Sequence, residues 1–272
     1  MRIAGAGAKR CDTMIGLIDS GLGGLTVARE IRRLLPNQDL LYFGDTAHMP
    51  YGARPAAVIR DYTLRSAEFL LKAGANLLVL AGHTVACVAG PHLEDTFATP
   101  VLSVSEATIT AAMADSSKNG FGLIATRATV ESRFFEETIQ KRCDSARVYA
   151  VAAPLLVALV EEGWIQKPET HMMVKKHLHP LITRQIDTLI LGCNHFSLLQ
   201  RAFARKAGAR IKIVTGIMPL ALQVKQIIDA SSELNQPADR KGALRVMVSE
   251  KTAHYEKTAR IFFGGHVVLD VA

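Results

Sequence analysis

The stretch Thr188–Leu199, T-L-I-L-G-C-N-H-F-S-L-L, restricts the possible folds more than any other part of the chain. Leu189–Leu191 is short and wholly apolar, which reads as a strand buried on both faces, the situation of strands in a parallel sheet. Gly192 permits a tight turn, Cys193 and Asn194 occupy its tip, and Phe196–Leu199 resumes at helical spacing. A side chain at such a turn stands at the carboxyl end of a strand and faces the N-terminus of a helix. That setting favours the ionised, reactive form of a thiol. His195, two residues on, is placed to hold or recharge the sulfur. A free cysteine beside a strand is otherwise ordinary core filler, so the reading needs a second observation.

An internal copy supplies it. Leu77–Val85, L-L-V-L-A-G-H-T-V, repeats the sequence of strand, small-residue turn and helix start, with Gly82 where Cys193 stands, His83 for Asn194 and Thr84 for His195. Gly16–Gly21 pairs in the same way with Gly122–Arg127, and Val101–Glu106 with Ile211–Gly216. Three matches in order argue for duplication. The expected fold class is α/β, two pseudo-symmetric α/β domains with mainly parallel sheets and a ligand cleft between their facing turns. The expected division is 13–100 plus 209–272 for the first domain and 101–208 for the second.

A chain of 272 residues with 49% hydrophobic and 21% charged residues can bury a full core. No apolar run reaches the roughly 18–20 residues of a membrane helix. The opening M-R-I-A-G-A-G-A-K-R-C-D-T lacks an apolar signal region and reads as a leader before the first strand. Cysteines at 11, 87, 143 and 193 form no C-x-x-C pair and no zinc spacing, so a reduced cytoplasmic setting without a metal is expected. The net charge of +7 raises nucleic-acid binding, but the basic residues are scattered over several helices and not interleaved with aromatics. They read as a solvated face.

Ile15–Ile18 is expected as the first strand, ending in Asp19 and Ser20 before a turn containing Gly21, Gly23 and Gly24. G-L-G-G matches neither the dinucleotide nor the P-loop fingerprint, which excludes nucleotide binding there. Asp19 is either a helix cap or a carboxylate facing the cleft. The loop Gly44–Pro55 offers backbone N–H groups to a ligand carboxylate. In the second half, Ile124–Thr129 reads as a strand and turn carrying hydroxyls at Thr126 and Thr129. Glu161 and Glu162 close an apolar stretch.

Four motifs then add up to a family resemblance: I-G-L-I-D-S-G-L-G-G-L-T-V, Y-F-G-D-T-A-H-M-P-Y-G, P-L-L-V-A-L-V-E-E-G and L-I-L-G-C-N-H-F. In order, from about Ile15 to Gly264, the chain resembles bacterial glutamate racemases. The resemblance implies cofactor-independent interconversion of L- and D-glutamate for peptidoglycan, with two cysteines on opposite sides of the substrate α-carbon. It implies that Asp19 partners the first thiol and that Glu161 and His195 assist the second, Cys193. Ser20, Thr84, Thr126 and Thr129 match substrate-binding positions, with Gly82 and Asn194 in the two turn motifs, and Pro50-Tyr51-Gly52 matches the loop for the side-chain carboxylate. The implied partner is a small substrate, glutamate or a similar amino acid or dicarboxylate; a homodimer is left open, and neither nucleic acid nor membrane is expected.

The departures are specific. The family's Cys-Asn-Thr is Gly82-His83-Thr84 here, so the first thiol is absent; Asn194 stands for a threonine, Ser197 for a proline and Ala153 for a cysteine. Three readings follow: a racemase, impaired or using His83 as a replacement base; a one-thiol enzyme protonating a carbanion, as decarboxylases of similar fold do; or a non-catalytic ligand- or partner-binding homologue, for example one that interacts with gyrase. Cys87 is a weaker substitute, expected to face the core. Returning a cysteine to position 82 is expected to restore or raise racemisation.

Overall fold

The computed structural model describes residues 13–231, 234–237 and 239–272. The leader expected ahead of the first strand, and Cys11 within it, lie outside these residues.

Among the described residues, ten strands form two sheets. The larger contains β1 (Met14–Asp19), β2 (Asp39–Gly44), β3 (Ala75–Leu80), β4 (Val101–Ser103), and, from the C-terminal part, β9 (Leu244–Val248) and β10 (Asp270–Val271). The smaller contains β5 (Gly120–Ala125), β6 (Arg147–Ala152), β7 (Thr188–Gly192) and β8 (Lys212–Val214). Every ladder is parallel. Parallel neighbours require crossovers, and helices supply them. The innermost strands are apolar along nearly their whole length because both faces are covered: the last five residues of β1 and all of β5 and β7 are buried.

The larger sheet runs β10-β9-β2-β1-β3-β4 and the smaller β6-β5-β7-β8. The first four strands and the second four therefore share one order. In each, the chain leaves the first strand toward one side and returns on the other, so a topological switch point lies between β1 and β3 and another between β5 and β7. In open α/β sheets the crevice at that point, outside the carboxyl ends of the strands, is where ligands bind.

Local sequence explains the ends. Helix Leu25–Leu34 buries Leu25, Val27, Ala28 and Ile31 and carries Arg32 and Arg33 in its last turn, where they complement the helix dipole. Helix Ala253–Phe263 starts on Thr252, whose hydroxyl accepts from Tyr255 N–H, and ends on Gly264 at φ 74°. One core cluster spans both sheets, and a smaller one, including Cys87, Ile109, Phe121, Phe135 and Ile190, lies against the second.

Two expectations are corrected and a third, the apolar stretch closed by Glu161 and Glu162, holds. β4 follows Pro100 and pairs with Leu78–Leu80, and β8 pairs with Thr188–Ile190. Sheet membership thus changes after Ser103 and after Val214, one strand later than the divisions at 100/101 and 208/209. Thr126 ends no extended strand over 124–129: it is the N-cap of helix Arg127–Glu131, accepting from Thr129 N–H at 3.4 Å. Glu161 closes helix Pro154–Glu161, and Glu162 is its C-cap. No helix among the described residues is long and apolar enough to cross a membrane.

Candidate active site

The two switch points face each other across a cleft of about 830 Å³, open mouth included, lined by Asp19, Ser20, Gly82, His83 and Thr84 on one side and Thr126, Glu161, Cys193, Asn194 and His195 on the other. Met49–Ala53 crosses its mouth. Every sequence candidate stands on this wall except Thr129, which joins it through hydrogen bonds.

The β7 turn holds Cys193 at the N-cap of helix Asn194–Ser197. Its Sγ lies 3.6 Å from His195 Nδ1. The other ring nitrogen, Nε2, is 3.0 Å from Glu161 Oε1, and the ring meets Phe262 edge-on at 4.7 Å. Burial disfavours charge on this imidazole, but the sulfur on one side and the carboxylate on the other outweigh it and raise its pKa to about 10. His195 is therefore a charged imidazolium at neutral pH. Gly23 makes room for it: a Cβ there would stand 2.9 Å from Nδ1.

Asn194 ties the two sheets together. Its Nδ2 donates to Ala81 C=O at 2.7 Å and more weakly to Gly23 C=O at 3.4 Å. Oδ1 is buried and accepts nothing among the described residues. An acceptor left unpaired in this way costs about 1–3 kcal/mol. Three hydroxyls form a second tie, with Thr84 3.0 Å from Thr126 and 3.3 Å from Thr129, and Thr126 2.9 Å from Thr129.

The loop over the mouth is fixed by Asp45, which accepts from Tyr51 O–H at 2.6 Å and Ser249 O–H at 2.7 Å. Burial and this carboxylate push the Tyr51 phenol up, so it stays neutral. Tyr51 points toward Asp45, and Gly52 lies against Thr126, where a Cβ would come within 2.7 Å. Asp45 escaped sequence reasoning although it lies inside the Y-F-G-D motif; its spacing to Tyr51 carries no periodic signal.

On the β1 side, Asp19 combines its two expected roles. Oδ2 accepts from Gly24 N–H at 2.8 Å and from Tyr42 O–H at 3.0 Å, which caps the glycine turn. Oδ1 lies over Gly82: a Cβ at that position would stand 2.1 Å from it. A cysteine at 82 therefore cannot be added to the present arrangement. Asp19 would have to swing away before that substitution could give the expected gain.

His83 is also corrected. Its Nδ1 pairs with Ser105 Oγ at 3.0 Å and its ring lies 5.9 Å from that of Phe135. Burial alone pushes its pKa down to about 3. This ring is a neutral wall group and a poor base. Cys87 shares Ser105 at 3.1 Å, and burial raises its thiol to about 12. Ser105 was missed because nothing in its local sequence marks it. No cluster of three or more His, Cys, Asp or Glu side chains among the described residues is arranged to hold a metal ion.

A two-sheet parallel α/β protein with a thiol–imidazole–carboxylate line in the cleft defines the class. A family model, Asp/Glu/Hydantoin racemase, matches residues 15–225, and the chain belongs to that family. It is 39% identical over 222 residues to a glutamate racemase of Neisseria meningitidis, covering 81% of this chain and 82% of the relative. A glutamate racemase of Syntrophus aciditrophicus is 34% identical over 250 residues, 92% of each chain. A crystal structure of a glutamate racemase isoform from Bacillus anthracis superposes with a TM-score of 0.90 at 30% identity, covering 96% of this chain and 98% of that one. One from Francisella tularensis, in complex with D-glutamate, gives 0.89 at 26% identity, covering 96% and 97%.

Two measurements check the electrostatics. Cys193 is expected to alkylate faster than Cys87 and Cys143, and His195→Asn to slow Cys193 alone; peptide mapping in which Cys143 reacts first, or in which the variant leaves the rate unchanged, contradicts the pairing. His83 is depressed from an unfolded value near ~6.5. The unfolded chain then binds the extra proton, and stability falls as pH drops from about 6.5 toward about 3. His195, raised instead, contributes stability that is present below about 6.5 and lost as pH climbs toward about 10. Unfolding free energies from denaturant titrations between pH 6.5 and 4.5 should show a slope of up to about 1.4 kcal/mol per unit that His83→Gln removes. An unchanged slope would place the buried proton-binding site elsewhere.

Proposed function

We propose that this protein interconverts L- and D-glutamate by proton transfer at the α-carbon, without a cofactor. The observation that carries the reading is the line Cys193–His195–Glu161 at the β5/β7 switch point, facing a second acid–base wall across the cleft. A protonated imidazole beside the sulfur stabilises the thiolate left when Cys193 delivers its own proton to a carbanion, and Glu161 holds the ring in place. The sulfur is thus a one-proton donor and acceptor for one face of the α-carbon.

The remaining walls suit an amino dicarboxylic acid. Hydroxyls of Thr84 and Thr126, with Ser20 at the lip, are donors for carboxylate oxygens, and buried Thr129 holds the two threonines in place. Backbone N–H groups of Tyr51 and Gly52, in the loop that begins at Pro50, take the distal carboxylate. The cleft is complete within one chain, so the reading does not depend on a dimer. A cytoplasmic location, where a thiol stays reduced, suits it, as does supply of D-glutamate for peptidoglycan.

The test is α-hydrogen exchange of each glutamate enantiomer in deuterated water, followed by chiral analysis. Exchange with inversion from both enantiomers is expected, and Cys193→Ala should lower interconversion by about 10²–10⁴-fold. Absence of exchange from either enantiomer would make this a binding protein, and release of carbon dioxide from a related dicarboxylic acid would make it a one-thiol decarboxylase.

A further inference from the structure

Racemisation needs an acid–base group on each side of the α-carbon, and Cys193 accounts for one. On the larger-sheet wall of the cleft, the titratable residues among those described are Asp19, Tyr51 and His83. Tyr51 gives its proton to Asp45 in a hydrogen bond, and burial holds the phenol neutral. His83 is tied to Ser105, and burial leaves it with a pKa of about 3.

Asp19 differs in how its two oxygens are used. Oδ2 is committed to Gly24 N–H and Tyr42 O–H, which fix the carboxylate plane. Oδ1 receives no hydrogen bond among the described residues and projects into the space that a side chain at position 82 would fill. Because residue 82 is glycine, nothing of its own shields Oδ1 from the cleft.

We propose that Asp19 is itself the proton-transfer group opposite Cys193, with Oδ1 as the reacting atom. The proposal rests on the racemase reading and adds to it the identity of the second group. In one direction the α-C–H bond breaks, its proton forms an O–H bond on Oδ1, and its electron pair remains on the α-carbon, delocalised into the α-carboxylate. Cys193 S–H then breaks and its proton adds to the opposite face, leaving a thiolate beside the His195 imidazolium. The reverse substrate runs the same steps backward, and exchange with water resets the pair. No oxidant or cofactor is required.

Two variants test it in the deuterium assay, with circular dichroism to confirm folding. Asp19→Asn keeps the shape of the side chain but not its basicity. It should lose interconversion by about 10²-fold or more, while the enantiomer whose α-hydrogen faces Cys193 still exchanges with retention. Gly82→Ala leaves Asp19 chemically intact but puts a Cβ where Oδ1 lies, and it should give the same signature even if Asp19→Asn does not fold. Interconversion near the wild-type rate in either folded variant overturns the proposal. So does loss of exchange on both faces, which would make Asp19 a binding group. A wild-type protein that exchanges on the Cys193 face alone, without inversion, overturns Asp19 as the partner but leaves the thiol chemistry standing. One that exchanges neither enantiomer overturns the racemase reading and this proposal with it.

Discussion

Parallel pairing puts the carboxyl ends of all strands of a sheet on the same edge, and the site depends on that constraint. Asp19 follows from the end of β1, Gly82 from β3, Thr126 from β5 and Cys193 from β7, so each reaches the cleft without a dedicated supporting element. Because both sheets use the same strand order, each contributes its switch point, and the two crevices merge into one. Beside the shared apolar core, hydrogen bonds tie them at the cleft itself: the Thr84 hydroxyl to Thr126 and Thr129, and the Asn194 amide to the Ala81 carbonyl. Both ties are also walls of the site, so the geometry that fixes the sheets relative to each other fixes the distance across the ligand.

Two histidines show how burial and partners divide the work. Both rings are largely removed from water, and desolvation opposes charge on each. His83 meets only a neutral hydroxyl and an aromatic ring, so nothing offsets that cost and its pKa falls to about 3. His195 meets a sulfur and a carboxylate on its two nitrogens, and they carry it to about 10. The same side chain is an uncharged spacer on one wall and a fixed positive charge on the other. The cleft is therefore electrostatically asymmetric although the backbone around it is nearly symmetric.

Much of the fold was legible because its signals are local. Buried parallel strands write themselves as short apolar runs, and glycine- or proline-bounded turns mark their ends, which is why β1, β3, β5 and β7 and their pairing by duplication could be read in advance. The repeat also paired Val101–Glu106 with Ile211–Gly216, the segments that carry β4 and β8, but runs this short have no period, so the sheet each one joins could not be read and the expected divisions fell one strand early. β6 was missed for a different reason: its residues are only partly buried, so its pattern is weak. The members of the site were legible through motifs, but the direction of each side chain was not. His83 occupies the turn as expected, yet a ring one position along a helix start points to whatever pocket lies beneath it, here Ser105 and Phe135 on other elements.

The glycine at 82 shows where reading along the chain misleads most. In sequence it is a deletion, an acid–base group replaced by nothing. In the fold, the absent Cβ and the position of Asp19 are one feature, because Oδ1 stands 2.1 Å from where that Cβ would be. Van der Waals exclusion allows a side chain at 82 or the carboxylate in its present place, not both. Asp19 cannot retreat without cost, since its other oxygen holds the Gly24 N–H that starts helix Leu25–Leu34 and the hydroxyl of buried Tyr42. The cap that fixes the first turn therefore also fixes the carboxylate over the glycine. What one dimension records as the loss of a group is, in three, the exposure of another.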